Sequence, residues 1–108
     1  MAGKFEITKS DGGYRFNLKS GNGEIVFSSE SYESESGARN GAESVKNNSM
    51  QDSLYERKTD ASGANYFVLK AGNGEIIGKS ETYSSEAAME KGIQAVKMNA
   101  ADAQIVSG

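Results

Sequence analysis

Two stretches of this 108-residue chain bring together side chains that could do chemistry: Ser29, Glu30 and Tyr32, and again Ser80, Glu81 and Tyr83. A hydroxyl, a carboxylate and a phenol within four positions could hold a small polar ligand. The same residues have an architectural use, and it is the commoner one: the Tyr ring packs at a sheet edge while Ser and Glu satisfy amides at a helix start. A second candidate is the glycine-rich turn, Gly21-Asn22-Gly23 and Gly72-Asn73-Gly74. A phosphate-cradling loop would lead from a strand into a helix, whose N-terminal amides face the anion. Here Glu24-Ile25-Val26 and Glu75-Ile76-Ile77 follow, which read as strand, so the turn is predicted to close a hairpin. Lys19 with Glu24 and Lys70 with Glu75 flank it as expected register-setting pairs. No spacing isolates two carboxylates with a reason for one to keep its proton, as paired-carboxylate hydrolysis requires.

Composition narrows the field further. The chain has no Cys, His, Trp or Pro. Thiol nucleophiles, imidazole bases, disulfides and the usual zinc, copper or haem ligation are thereby excluded, and neither an enzyme nor a cofactor or metal site is expected. Twelve basic and fifteen acidic residues give a net charge of -3, which argues against a nucleic-acid partner. The opening residues, Met1 to Ile7, pass directly into polar and apolar alternation without an apolar run suited to a signal peptide or membrane span. A cytoplasmic monomer without membrane association is the expectation.

The elements that position these residues come in two copies. A shift of 51 positions superposes Phe16 on Phe67, Leu18 on Leu69, both Gly-Asn-Gly-Glu-Ile blocks, Ser29-Glu30 on Ser80-Glu81, Tyr32 on Tyr83, Gly41 on Gly92 and Val45-Lys46 on Val96-Lys97. This is an internal duplication, with repeat 1 at about 1–53 and repeat 2 at about 54–108, expected to share one core as a single pseudo-symmetric domain. In each copy two alternating segments and a turn precede a third strand. Ser34 and Ser85 then offer helix N-caps, with Glu35 and Glu86 in the first turns. Ala38, Gly41, Ala42 and Val45 share one helix face, as do Met89, Gly92, Ile93, Val96 and Ala100. Gly41 and Gly92 are predicted where helix backbone lies close to the sheet. Asp52 to Glu56 and Ala103 to Ser107 read as short closing strands. The fold class is α+β: tandem β-β-β-α-β units in one antiparallel sheet, with two helices on one face.

These motifs carry a family likeness. The aromatic-x-Leu strand (Phe16, Leu18; Phe67, Leu69), the Asn-Gly-Glu-Ile turn (Asn22 to Ile25; Asn73 to Ile76), the Ser-x-x-Tyr (Ser29, Tyr32; Ser80, Tyr83) and the glycine-containing helices resemble the YegP-like family of small uncharacterised bacterial proteins. The resemblance covers nearly the whole chain in both copies. It implies a single sheet in which C-terminal strands are exchanged between repeats, and it brings no activity or site residues.

Function is therefore sought where the copies differ. If Phe16 and Leu18 point inward, Arg15, Asn17 and Lys19 point outward, and the second copy places Tyr66, Val68 and Lys70 there. Val26 and Ile77 join them or not, depending on a bulge. The leading expectation is a small binding or accessory module that meets another protein through this open sheet face, at Arg15, Asn17, Tyr66, Val68 and Lys70. The alternative is a small polar ligand at the paired Ser-Glu-Tyr sites.

Overall fold

The computed structural model describes residues 3–107. Three strands, β1 (Lys4–Ser10), β2 (Gly13–Lys19) and β3 (Ile25–Ser29), lead into α1 (Glu35–Asn48). A short 3₁₀ turn (Asp52–Leu54) opens the second copy, with β4 (Tyr55–Thr59), β5 (Asn65–Lys70), β6 (Ile76–Lys79), α2 (Glu86–Ala100) and β7 (Gln104–Ser107). One seven-stranded sheet results, in the order β4-β5-β6-β3-β2-β1-β7. Both helices pack on one face.

Each predicted hairpin forms as the Asn-Gly chemistry requires. Gly23 and Gly74 adopt φ of +88°, where only glycine is unstrained, and the Asn22 and Asn73 carboxamide oxygens accept the Glu24 and Glu75 amides at 3.1 and 3.0 Å. A bulge follows each turn, with Val26 extra opposite the Leu18–Lys19 step and Ile77 extra opposite the Leu69–Lys70 step. It decides which of the next two apolar residues faces inward. Val26 and Ile77 turn toward the core, while Ile25 and Ile76 stand on the outer face opposite Lys19 and Lys70.

The sheet departs from the expected all-antiparallel arrangement at one edge, because β7 lies parallel to β1. Strand exchange is thus present, with the last strand of repeat 2 completing repeat 1. Its counterpart in repeat 1 is not a separate strand. Asp52–Leu54 coils into the 3₁₀ turn and Tyr55 and Glu56 are already β4, since the chain must continue directly into the second copy. The outer edge of β4 is accordingly left without the neighbour that β1 has.

The two copies meet at β3 and β6, where Ser28 faces Lys79. These residues are repeat equivalents, so the pseudo-twofold axis passes between them. On the core side of the axis the symmetry is broken by size. The ring of Phe27 stacks on Phe67 at 6.3 Å between centroids, and its equivalent is Gly78, where a β-carbon would lie 2.9 Å from the Phe27 ring and 2.8 Å from the Ser29 α-carbon. One ring fills the space that two would contest.

The helices begin at the predicted caps, with Ser34 and Ser85 hydroxyls accepting the Gly37 and Ala88 amides at 3.0 and 3.1 Å. The helix glycines have a different reason from the one expected. Their close neighbour is a tyrosine ring and not the sheet backbone. Added β-carbons at Gly41 and Gly92 would meet the phenol oxygens of Tyr32 and Tyr83, and would lie 2.7 and 2.6 Å from the ring carbons that carry them. Each ring also stacks on its core phenylalanine, Tyr32 on Phe16 and Tyr83 on Phe67.

Helix propensity alone would favour alanine at position 92 by about 1 kcal/mol, whereas overpacking costs about 1 to 3 kcal/mol. Gly92→Ala is therefore expected to destabilise the protein in denaturant titrations, and to become neutral or stabilising in a Tyr83→Ala background. Additive effects in that cycle would contradict the ring-against-glycine contact.

Candidate functional site

The Ser-Glu-Tyr motifs are committed to the frame. Ser29 and Ser80 are buried; their hydroxyls accept the Phe16 and Phe67 amides at 2.9 and 3.1 Å and donate to the Glu30 and Glu81 carbonyls at 2.7 Å. The serines thus satisfy strand amides in β2 and β5, where helix-start amides were expected. Tyr32 pairs its backbone with Tyr14, and Tyr83 with Asn65, fastening the segment before each helix to the strand end. Burial raises the pKa of both phenols above the ordinary tyrosine value, aided by Glu30 and Glu75 at Tyr32 and by Glu81 at Tyr83. Glu30 and Glu81 are exposed. An open volume lies beside Tyr32: a cleft of about 390 Å³ whose lining includes Glu30, Tyr32, Asn40, Ser44, Asn73 and Glu75. Among the described residues, no cluster of three or more carboxylates could hold a metal ion.

The open sheet face is assembled by register. Glu6, Asn17, Ser28, Lys79, Val68 and Glu56 form one rung that crosses β1, β2, β3, β6, β5 and β4. Beside it run Thr8 with Arg15, Tyr66 with Lys58, Lys4 with Lys19 and Ile25, and Lys70 with Ile76. Arg15, Asn17, Tyr66, Val68 and Lys70 therefore do share one face. Tyr66 is half-buried and Val68 only 5% exposed, although Val68 lies outside the hydrophobic core cluster. It sits between Glu56 and Lys79 on the rung, two residues with aliphatic stems long enough to cover an apolar neighbour. The outward valine is thus a shielded centre rather than an exposed one.

Ion pairs on this face also differ from expectation. Lys19 reaches Glu6 at 2.8 Å and Lys70 reaches Glu56 at 3.4 Å, so neither pairs with the glutamate of its own turn. Across the strands those carboxylates are near neighbours on the face, whereas Glu24 is held at the turn by the Asn22 carboxamide. Lys4 and Lys79, missed at the level of sequence, belong to the same face; the period-2 alternation around Phe5 and the register shift at β6 place them there.

The opposite side of β4 carries a separate charge network. Arg57 Nε lies 2.5 Å from Glu90 and its Nη2 3.2 Å from Asp52, which Lys97 also reaches at 3.1 Å. Hydrogen bonds from Lys97 and Arg57 hold the Asp52 carboxyl below its usual range, and Arg57 does the same for Glu90. Lys19 lowers Glu6, and Lys58 and Lys70 lower Glu56. Carboxyls depressed in the folded state contribute stability that is present above their unfolded values and lost as pH falls through the folded ones. The melting temperature should hold level from pH 7 to about 5 and fall below about pH 4. Arg57→Gln, which leaves Asp52 and Glu90 less favoured as anions, should flatten that acid limb; superposable limbs for the two proteins, followed by circular dichroism, would contradict the assignment.

Comparison with known proteins places this architecture. The pattern of the family described as "Domain of unknown function (DUF1508)" matches twice, at residues 9–56 and 60–107. The UPF0339 protein of the ptx operon 5′ region of Stutzerimonas stutzeri is 50% identical, over 98% of this chain and 96% of its own. UPF0339 protein YegP of Escherichia coli K12 is 49% identical over 92% and 91%. Among solved structures, the solution structure of E. coli yegP superposes with a TM-score of 0.93 at 45% identity, covering 100% of this chain and 94% of that one. A UPF0339 protein of Shewanella oneidensis gives 0.92 at 42%, covering 99% and 92%. With both copies matched and the whole fold shared, the chain belongs to the UPF0339 family typified by YegP, in its tandem-repeat form.

Proposed function

We propose that this protein is a non-enzymatic binding module that engages another protein through the sheet face opposite its helices. One observation carries the reading: among the described residues, a continuous face of six antiparallel strands has no layer over it, while both helices cover the other side. An antiparallel sheet tolerates such exposure when the face is polar, and a mixed apolar strip within it is a contact surface. That strip is Tyr66 and Ile76 on either side of the shielded Val68, where repeat 1 has Arg15, Ile25 and Asn17. At these outward positions the copies differ, Arg15 against Tyr66 and Asn17 against Val68, and a surface is where a duplicated frame is free to specialise. Differential lysine labelling tests this. In bacterial lysate, Lys19, Lys70 and Lys79 should label more slowly than in buffer while Lys46 and Lys91, on the helices, do not change. Equal labelling throughout, or protection confined to the helices, would count against it.

A second reading, a small polar ligand, is favoured at the cleft beside Tyr32 and Glu75. Ser29 and Ser80 take no part in it, since their hydroxyls are used within the sheet. A thermal-shift screen of amino acids, amines and sugars should then raise the melting temperature of the parent and not that of Tyr32→Phe/Glu75→Gln. No responding compound, or an unchanged response in the variant, would remove this site from consideration.

A further inference from the structure

The open face has a charge that the chain as a whole conceals. It displays Lys4, Arg15, Lys19, Lys58, Lys70 and Lys79 against only Glu6 and Glu56. Six of the twelve basic residues and two of the fifteen acidic ones lie on it, so the face carries +4. The remaining six basic and thirteen acidic residues carry -7, which restores the -3 of the whole chain.

The positive charge is also left uncompensated in part. Lys19, Lys58 and Lys70 each lie beside a face carboxylate, Glu6 or Glu56, and Lys4 feels Glu6 without a direct ion pair, whereas among the described residues Arg15 and Lys79 have no ion-pair partner. Lys4 and Lys19 stand directly opposite each other on β1 and β2, a cross-strand placement of like charges that disfavours folding. An anionic partner would relieve that repulsion on binding.

Resting on the reading of this face as a protein-binding surface, we infer that its partner is an acidic protein segment in which carboxylates alternate with apolar side chains. Two features favour this partner over nucleic acid. The central rung carries Glu6, followed only by Val106 of β7, toward one side and Glu56 at the other, which would oppose a continuous run of phosphates while leaving room for separated carboxylates. Tyr66 is the one aromatic ring on the face, short of the successive rings on which bases stack. The apolar side chains of Tyr66, Ile25 and Ile76, interspersed among the lysines, fit apolar residues between the carboxylates.

Titration of the ¹⁵N-labelled protein with a synthetic peptide of alternating Glu and Leu tests the inference. The amides of Lys4, Lys19, Lys70 and Lys79 should shift together, and the affinity should fall about tenfold between 50 and 300 mM salt. Lys4→Glu/Lys79→Glu brings the face to neutrality without breaking an ion pair and should weaken binding about tenfold. Lys46→Glu/Lys91→Glu makes the same change in net charge on the helices and should leave it intact. A Gln-Leu peptide that binds this face equally well would overturn the acidic partner and leave the binding-module reading standing. Tighter binding of a fifteen-residue oligothymidylate, lost with the face lysines, would overturn it in favour of nucleic acid. No shift at the face with the acidic peptide would overturn it as well, and lysine labelling unchanged in lysate would remove the underlying reading too.

Discussion

The pairing of β3 with β6 is the constraint on which the rest of the molecule depends. It joins two repeats along equivalent residues, Ser28 and Lys79, so whatever lies near that line is presented to its own copy. On the outer side this is harmless, since side chains there extend into solvent. On the core side, space on a symmetry axis is halved. Phe27 takes it and Gly78 gives it up, and the ring bridges the copies by stacking on Phe67. Duplication supplied the frame, and packing on the axis obliged the halves to diverge.

The same economy explains why the most chemical-looking motif is structural. Each Tyr of the Ser-x-x-Tyr pattern closes the end of a sheet, lies against a core phenylalanine and presses its phenol onto a glycine in the helix. Each Ser stands in for a missing strand partner by accepting a β2 or β5 amide. Buried polar groups are tolerated where their hydrogen bonds are complete. Repetition of all four residues in both copies is therefore what a shared packing solution looks like, and it carries no sign of reactivity.

Charge follows a different logic. Strand side chains alternate faces, so the pairing register of several strands can bring one lysine from each to the same side of a sheet although they are scattered along the chain. Lys4, Lys19, Lys70 and Lys79 come from four different strands and share one face, while most carboxylates lie in turns and on helices. A net charge of -3 describes how the molecule behaves at a distance, and it says little about a surface at contact range, where screening leaves only the local charges.

Duplication, strand alternation, hairpin turns, helix caps and the inward residues were all legible in the sequence, because each depends on neighbours a few positions away. The 51-residue shift, the Gly-Asn-Gly turns and the Ser34 and Ser85 caps need no knowledge of distant contacts. The candidate face was legible only in outline: Arg15, Asn17, Tyr66, Val68 and Lys70 follow from period two, yet Lys4 and Lys79 join them only once strands are ordered and bulges counted. What the tertiary structure alone decided was non-local: the parallel seat of β7 on β1, the tyrosine in front of each helix glycine, the shielding of Val68 and the partners of Lys19 and Lys70. Each depends on which residues distant in the chain are pressed into one volume, and a local pattern holds no information about that.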